Sequence, residues 1–253
     1  METNRMNEFD GKRCIVTGAS GALGGGIVRA LVSAGAKVAM FDINYDGSEK
    51  TAAECDPDRS RTDYFQVDVT KESDVISTVG RVEAQWGGVD VLVNAAGIIK
   101  HRPIDELTLE DFTKIIDVNL VGTFLTCREA VRVMKKQKRG KIVNIASIGG
   151  ETGRPGVGVN YAASKAGVMG LTRCLAREAG VHGIYVNAIN PGPILTELTK
   201  QVPEEVFAKW NAGRAVEKNG LPEDIAEAVL FLASGRSDWI TGIGLDINGG
   251  IYM

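Results

Sequence analysis

Six short apolar runs in this chain each stop at a polar or glycine cluster, and longer stretches of helical period separate them. The clusters read TGAS, FDIN, VDVT, NAAG, IASIGG and INPGP. The runs that end in them are RCIVTG (13–18), KVAMFD (37–42), YFQVDV (64–69), VDVLVNAAG (89–97), KIVNIAS (141–147) and IYVNAIN (184–190), and a seventh, IGLDI (243–247), follows near the end. Between them, Leu23, Ile27, Leu31 and Ala34 recur at helical spacing, as do Val75, Val79, Val82 and Trp86. A short helix is expected near 47–54, a long one between the fourth and fifth runs, and further helices over 161–180 and 222–234. Near-continuous apolar strands joined by helical crossovers indicate a parallel sheet covered on both faces. No linker or internal repeat divides the pattern, so one doubly wound Rossmann-type α/β domain of seven strands is expected over residues 1–253, with a loose polar tail at 1–7. In such sheets ligands bind outside the carboxyl ends of the strands. One turn cluster there is ordinary; six in register on a single edge indicate a site.

Composition narrows the function. The chain has 253 residues, is 44% hydrophobic and carries 31 glycines against 7 prolines, as a globule with an ample core does. Its net charge is −3, without the basic excess of a nucleic-acid binder. The one basic run, KKQKRGK (135–141), falls where a helical pattern ends, with Gly140 the expected C-cap, and cations there complement the helix dipole. Four scattered cysteines form neither a disulfide framework nor a set of zinc ligands, so no metal is expected. No signal peptide and no apolar run of the ~20 residues a membrane helix needs is visible. A cytoplasmic protein that binds neither membrane nor nucleic acid is expected.

The stretch TGASGALGGG (17–26) runs from the first strand into the first helix, bringing Gly18, Ser20, Gly21, Leu23 and Gly24 to the turn. Glycines let backbone N–H groups approach a pyrophosphate, and the helix N-terminus favours the anion. Asp42 ends the second strand 18 residues after Gly24. An acid at about that distance binds the adenosine ribose hydroxyls of a dinucleotide. A 2′-phosphate brings close to two negative charges. It would meet Asp42 with only Gly21, Ile43 and Asn44 nearby, none of them basic, so NAD is expected rather than NADP.

In VNYAASKAG (159–167), Tyr161 and Lys165 stand four apart with small residues between. Positions i and i+4 share a helix face. Bringing a phenol down from ~10 by about three units takes about 4 kcal/mol. One cation at about 4.5 Å, at an effective dielectric near 20, supplies roughly that. The pair is thus expected to work as an acid–base device in a partly dry site.

Together these residues resemble the short-chain dehydrogenase/reductase family over nearly the whole chain. The glycine turn, NAAG (94–97), Asn119 in DVNLVG, Ser147, Tyr161-x-x-x-Lys165 and NPGPILT (190–196) stand in the family's order and spacing. The resemblance implies a single seven-stranded domain of order 3-2-1-4-5-6-7 and hydride transfer between nicotinamide and an alcohol or ketone. Tyr161 would carry the proton, Lys165 also hold the nicotinamide ribose, Ser147 bind the substrate oxygen and Asn119 hold a water in a proton path. Asp68 and Val69 would meet the adenine, and Asn94, Ala95 and Ala96 the ribose side. Pro191 and Gly192 would lie over the nicotinamide, with Ile194 and Thr196 on its carboxamide. One departure is visible: the family's TGxxxGxG has Ala22 at its middle glycine here. Family members also imply a homotetramer pairing the helices that carry Asn119 and Tyr161.

For the substrate, IIKHRP (98–103) and ETGRPG (151–156) bring Lys100, His101, Arg102 and Arg154 toward one cavity. Solvated rim charge and an anion site are both open readings. Arg102 and Arg154, with Ser147, are similar to a pattern in the family's gluconate and 2-deoxygluconate dehydrogenases, so the secondary alcohol of a sugar, polyol or sugar acid is expected, under a lid at 196–215 holding Val206, Phe207 and Trp210. A 3-oxoacyl thioester reductase is the alternative within the family. A non-catalytic NAD-binding regulator is the alternative outside it. A serine hydrolase is disfavoured: only His101 and His182 exist, and GxSxG is absent.

Overall fold

The seven strands pair in parallel throughout, in the order β3-β2-β1-β4-β5-β6-β7. A computed structural model of the chain describes residues 8–153, 156–196, 199–201 and 203–253. The elements run β1 (Arg13–Thr17), α1 (Ala22–Ser33), β2 (Lys37–Asp42), α2 (Tyr45–Cys55), β3 (Thr62–Gln66), α3 (Glu72–Trp86), β4 (Val91–Asn94), α4 (Leu109–Ile116), α5 (Gly122–Gln137), β5 (Gly140–Ile145), α6 (Gly149–Thr152), α7 (Val159–Ala179), β6 (Ile184–Pro191), α8 (Glu204–Trp210), α9 (Pro222–Ala233) and β7 (Gly244–Ile247). The strands are apolar on both sides because both sides are covered. One core layer joins Val16, Val38 and Met40 to Ile27, Leu31, Ile225 and Val229 of α1 and α9. The other joins Phe41, Leu92 and Ile142 to Val79, Leu125 and Met134 of α3 and α5.

The chain reverses its direction of winding between β1 and β4, which are neighbours in the sheet. That switch point opens the crevice in which this fold class binds ligands. Two expected strands end sooner than their apolar runs. β3 stops at Gln66 and β4 at Asn94, so 67–69 and 95–97 leave the sheet as walls of the crevice. The second departure has a visible cause: the amides of Ala95 and Ala96 both donate to Thr17 Oγ1 (3.2 and 3.1 Å) instead of to a strand.

The long helix between β4 and β5 is interrupted. α4 passes into α5 through a π-helical turn, Asp117–Val121, centred on Asn119. Such turns are rare, and they gather at functional sites. The helix closes not at Gly140 but at Lys138, which takes the left-handed conformation with φ 55°. Gly140 already belongs to β5 and lies against Met134. The basic run there is paired with acids, Lys136 with Glu83 (2.8 Å) and Lys141 with Asp238 (2.7 Å). Among the described residues no helix is long and apolar enough to cross a membrane.

The expected lid is an excursion closed at its base. Leu195 N donates to Gly220 O (2.8 Å), and Ala215 N to Gly249 O (2.9 Å). Inside it lie a turn at Thr199–Gln201 and α8. The tail 1–7 and Arg154 lie outside the described residues.

Candidate active site

A groove of about 560 Å³ crosses the carboxyl edge of β1, β2 and β4. Its floor is the glycine turn. Gly18 sits at φ +66°, and a Cβ there would meet Ala96 Cα at 2.7 Å. A Cβ on Gly24 would collide with the carbonyl of Gly18. Both positions therefore exclude side chains, which leaves backbone facing the groove at the start of α1. Ser20, Gly21 and Leu23 line it as expected, and so does Ala22, the first residue of α1. The methyl of Ala22 is exposed rather than wedged, so the departure from the family pattern is accommodated without displacing the turn.

Asp42 is held by the backbone of its own wall. Its Oδ2 accepts from Ser20 N (2.9 Å) and its Oδ1 from Asn44 N (2.8 Å), which fixes the carboxylate beside the exposed Ile43. Asp68 and Val69 form the opposite end. Asp68 turns back on Thr70, accepting from its amide (3.0 Å) and hydroxyl (2.7 Å). Ala95 and Ala96 line the groove, but Asn94 does not. Its side chain is buried in a polar network, donating to Asn144 Oδ1 (2.9 Å) and accepting from Thr126 Oγ1 (2.7 Å). The strand places the side chain on the inner face, so a contact from Asn94 to the ribose side would come from its backbone. Phe41, Val67, Ile98, Lys114 and Val118 also line the groove and were not foreseen. Lys114 and Val118 come from α4 and the π-helical turn, far from any glycine motif.

The groove fits a nicotinamide dinucleotide on this structure's own terms: a side-chain-free cradle at a helix start, a fixed carboxylate at the end of β2, and apolar walls at Val67 and Val69. Gly18, Ser20, Gly21 and Leu23 would hold its pyrophosphate side and Asp42 its adenosine ribose.

At the nicotinamide end the four expected catalytic residues come together. Lys165 is 5% exposed, and its Nζ donates to Ile145 O (2.7 Å), 5.7 Å from the centre of the Tyr161 ring. Asn119, fully buried, accepts from Ile98 N (2.8 Å) and donates to Ile98 O (3.0 Å) and to Ser164 Oγ (3.0 Å). Ser164 Oγ in turn donates to Tyr161 O (2.7 Å). One amide donation of Asn119 thus ties the π-helical turn to the helix that bears the tyrosine, and the other ties it to the segment that follows β4. Ser147 is fixed by Gly149 N, which donates to its Oγ (3.0 Å), and it hydrogen-bonds the phenol of Tyr161.

The acid–base state differs from the expectation. Burial pushes the Tyr161 phenol up, and the hydrogen bond from Ser147 only partly opposes this. Lys165 does not pull it down, because its ammonium is turned to the Ile145 carbonyl. Burial lowers Lys165 itself to about 8. In this state burial favours the protonated phenol of Tyr161.

A second cavity, of about 130 Å³, adjoins Ser147 and Tyr161. Its other walls are Ile99, Ile148, Val157, Pro193 and Trp210, with the backbone of Pro191 and Gly192. Ile194 faces a separate cavity behind this loop, and Thr196 is tied to Thr199, whose Oγ1 accepts from its amide (2.7 Å). Arg102 does not line the cavity: it pairs with Asp111 (3.1 Å), as does Lys100 (2.7 Å). Of the two expected anion-binding arginines, Arg102 is thus engaged elsewhere and Arg154 is not described.

Comparison with known proteins agrees with this geometry. A family model described as enoyl-(acyl carrier protein) reductase matches residues 18–252. The chain is 39% identical over 241 residues to the 3-oxoacyl-(acyl-carrier-protein) reductase FabG of Chlamydia muridarum, covering 95% of this chain and 97% of that protein. It is 40% identical over 240 residues to the acetoacetyl-CoA reductase of Rhizobium meliloti, covering 94% and 98%. Among solved structures, the crystal structure of gox2181 superposes with a TM-score of 0.93 at 33% identity over 99% of both chains.

Proposed function

The chain belongs to the short-chain dehydrogenase/reductase family, an oxidoreductase acting between carbonyl and CH–OH groups with a nicotinamide cofactor, and from that premise we propose that it reduces 3-oxoacyl thioesters with NADH. The observation that carries this reading is the wall of the substrate cavity. Ser147 and Tyr161 open into a space bounded by Ile99, Ile148, Val157, Pro193 and Trp210, with no charged side chain among the described residues that line it. A sugar acid would bury its carboxylate against apolar groups there, which is costly without a partner. An acyl chain would not. The relatives named for 3-oxoacyl and acetoacetyl thioesters support the same choice. The sugar-acid expectation therefore gives way to its alternative.

The cofactor supplies the hydride. The chain's own part is to hold the ketone and deliver the proton. Ser147 donates to the substrate oxygen, and Tyr161, as the protonated phenol that burial favours, gives its proton to that oxygen as negative charge develops on it. Lys165, whose ammonium is bonded to the Ile145 carbonyl at rest, would turn from that carbonyl to stabilise the phenolate left behind. NADH rather than NADPH follows from Asp42, which would face a 2′-phosphate with like charge. A homotetramer is part of the proposal, supported by exposed Leu109 and Phe124 on the helices that carry the π-helical turn and by the fully exposed Trp239; light scattering on the purified chain tests it. A cytoplasmic location completes it, checked by fractionation.

The decisive assay follows absorbance at 340 nm with NADH and with NADPH against 3-oxoacyl thioesters, and with NAD against gluconate-type sugar acids and neutral polyols. Thioester reduction with NADH is expected to dominate. Preference for a sugar acid or polyol overturns the thioester reading, and equal use of both cofactors overturns the argument from Asp42.

A further inference from the structure

We propose that Trp210 limits the acyl chain to short lengths, so that the enzyme takes the four-carbon 3-oxoacyl group and discriminates against homologues of about eight carbons and more. The inference rests on the thioester reading of the same site. Its basis is the size of the substrate cavity and the apolar wall that Trp210 forms on one side of it. The space beside Ser147 and Tyr161 is about 130 Å³. That is slightly below the ~150 Å³ of an apolar protein cavity that holds benzene, so about five non-hydrogen atoms fit. An acetoacetyl group places about four there (C2, the carbonyl carbon and oxygen, and C4), whereas its eight-carbon homologue places about eight, counted by the same measure of cavity size.

The far wall does not yield easily. Trp210, at the end of α8, lies flush against the backbone of Gly156, where a Cβ would stand 2.5 Å from the indole Nε1. Gly156 is at φ +82°, a conformation that again favours glycine, so the contact is built from both sides. Phe207, one turn earlier on α8, braces the indole edge-on, with ring centroids 6.3 Å apart and planes at 64°. Val157 is similarly backed by Gly149, where a Cβ would lie 3.1 Å from its methyl. The other side of the reacting carbon leads past Ile99, half exposed at the mouth, which leaves the thioester end in solvent. A tail lengthened at its methyl end therefore runs into the indole.

Where an apolar wall stands in the path of the chain, one methylene changes kcat/KM by about tenfold or more. The test measures kcat/KM with NADH for 3-oxoacyl-CoA thioesters of four, six, eight and twelve carbons on the full chain, on Trp210→Ala and on Trp210→Phe. The parent is expected to lose at least ~10-fold between four and eight carbons. Trp210→Ala is expected to raise the eight-to-four ratio by at least ~10-fold, and Trp210→Phe to raise it by less. If the alanine variant does not fold by circular dichroism, the phenylalanine variant reads the same ratio. A flat chain-length profile in the parent, or a ratio unmoved in a folded variant, overturns the limit while leaving thioester reduction intact. Absence of turnover with every thioester, beside turnover of a sugar acid, overturns both.

Discussion

The cofactor groove and the substrate cavity meet at Tyr161 but are built from different materials. The groove is made of strand ends and backbone. Its glycines are required by their own geometry, Gly18 by a left-handed φ and a 2.7 Å approach to Ala96, and Asp42 is fixed by two amides within its own wall. The cavity is made of side chains from three loops and the end of α8, Ile99, Val157, Pro193 and Trp210, that lie far apart along the chain. A groove of the first kind tolerates variation in its walls but not in its turn. A cavity of the second kind keeps its chemistry while its size and polarity change with single residues. Catalysis sits on the shared border, so removing the border residue has the largest effect. Tyr161→Phe is expected to lower kcat by at least ~10²-fold, the value of a positioned acid, with NADH binding by fluorescence titration unchanged. Near-normal turnover would remove Tyr161 as the proton donor, and lost NADH binding would mean that the two regions are not separable.

Lys165 tests whether the border is dry. Its pKa falls to about 8 by burial, so the folded chain binds fewer protons than the unfolded chain between about pH 8 and the ordinary lysine value of about 10.4. Stability contributed through this group therefore rises with pH across that window, and below pH 8 the full cost of a buried ammonium is present. Lys165→Met removes that cost and also the hydrogen bond to Ile145 O. The variant is expected to be more stable than the parent at pH 7 by on the order of 2 kcal/mol, with the difference shrinking toward pH 10, while reductase activity is lost. Urea titrations at pH 7, 8.5 and 10 check it. A difference independent of pH would mean that Lys165 is hydrated and that the border is wet.

How much of each region is legible in the sequence follows from the same contrast. The strands and helices, the glycine turn, Asp42 and the Tyr161–Lys165 pair were readable because each is encoded by local spacing: apolar runs and period-3.6 patterns, a turn that needs glycine, an i, i+4 pair; strand order and the places of Asn119 and Ser147 came only with the family resemblance. The exceptions are tertiary. Asn94 looks like a groove residue by its place at a strand end, yet the pleat turns it onto Asn144. The phenol of Tyr161 looks depressed by its neighbour, yet the ammonium prefers a carbonyl that no spacing reveals. The cavity was least readable because no local rule sets which loop residues face one another. The exposed pair Ile98–Ile99 after NAAG was its one available signal, since two bulky apolar residues leaving a strand end toward solvent call for a ligand or a partner.

A smaller effect sharpens the groove side of the comparison. Asp42→Ala removes the charge that opposes a 2′-phosphate but leaves the glycine cradle in place. The ratio of kcat/KM for NADH over NADPH is expected to fall by about tenfold, equivalent to about 1.4 kcal/mol, with NADH still used. An unchanged ratio would assign cofactor choice to another residue, and Lys114, which lines the groove from α4, is the first to examine.

The smallest effect is expected at the cavity's rim, and it bears on the reading the sequence first suggested. Arg102 is 44% exposed and shares the carboxylate of Asp111 with Lys100, which is 48% exposed. Two cations on one anion leave a positive excess at the mouth, but one that water screens, and such exposed pairs contribute little. The polar side chains at the cavity are Ser147 and Tyr161, and the other described side chains that line it are apolar. Arg102→Ala is therefore expected to change KM for an acetoacetyl thioester, and for any sugar acid turned over at all, by less than about twofold. The measurement is made at low and at physiological salt. A shift confined to low salt is rim electrostatics acting on the approach of a charged thioester. A rise of about tenfold or more in KM for a carboxylate substrate at physiological salt would mean that Arg102 leaves Asp111 to bind it, and the cavity would then be half polar in use although it is apolar at rest.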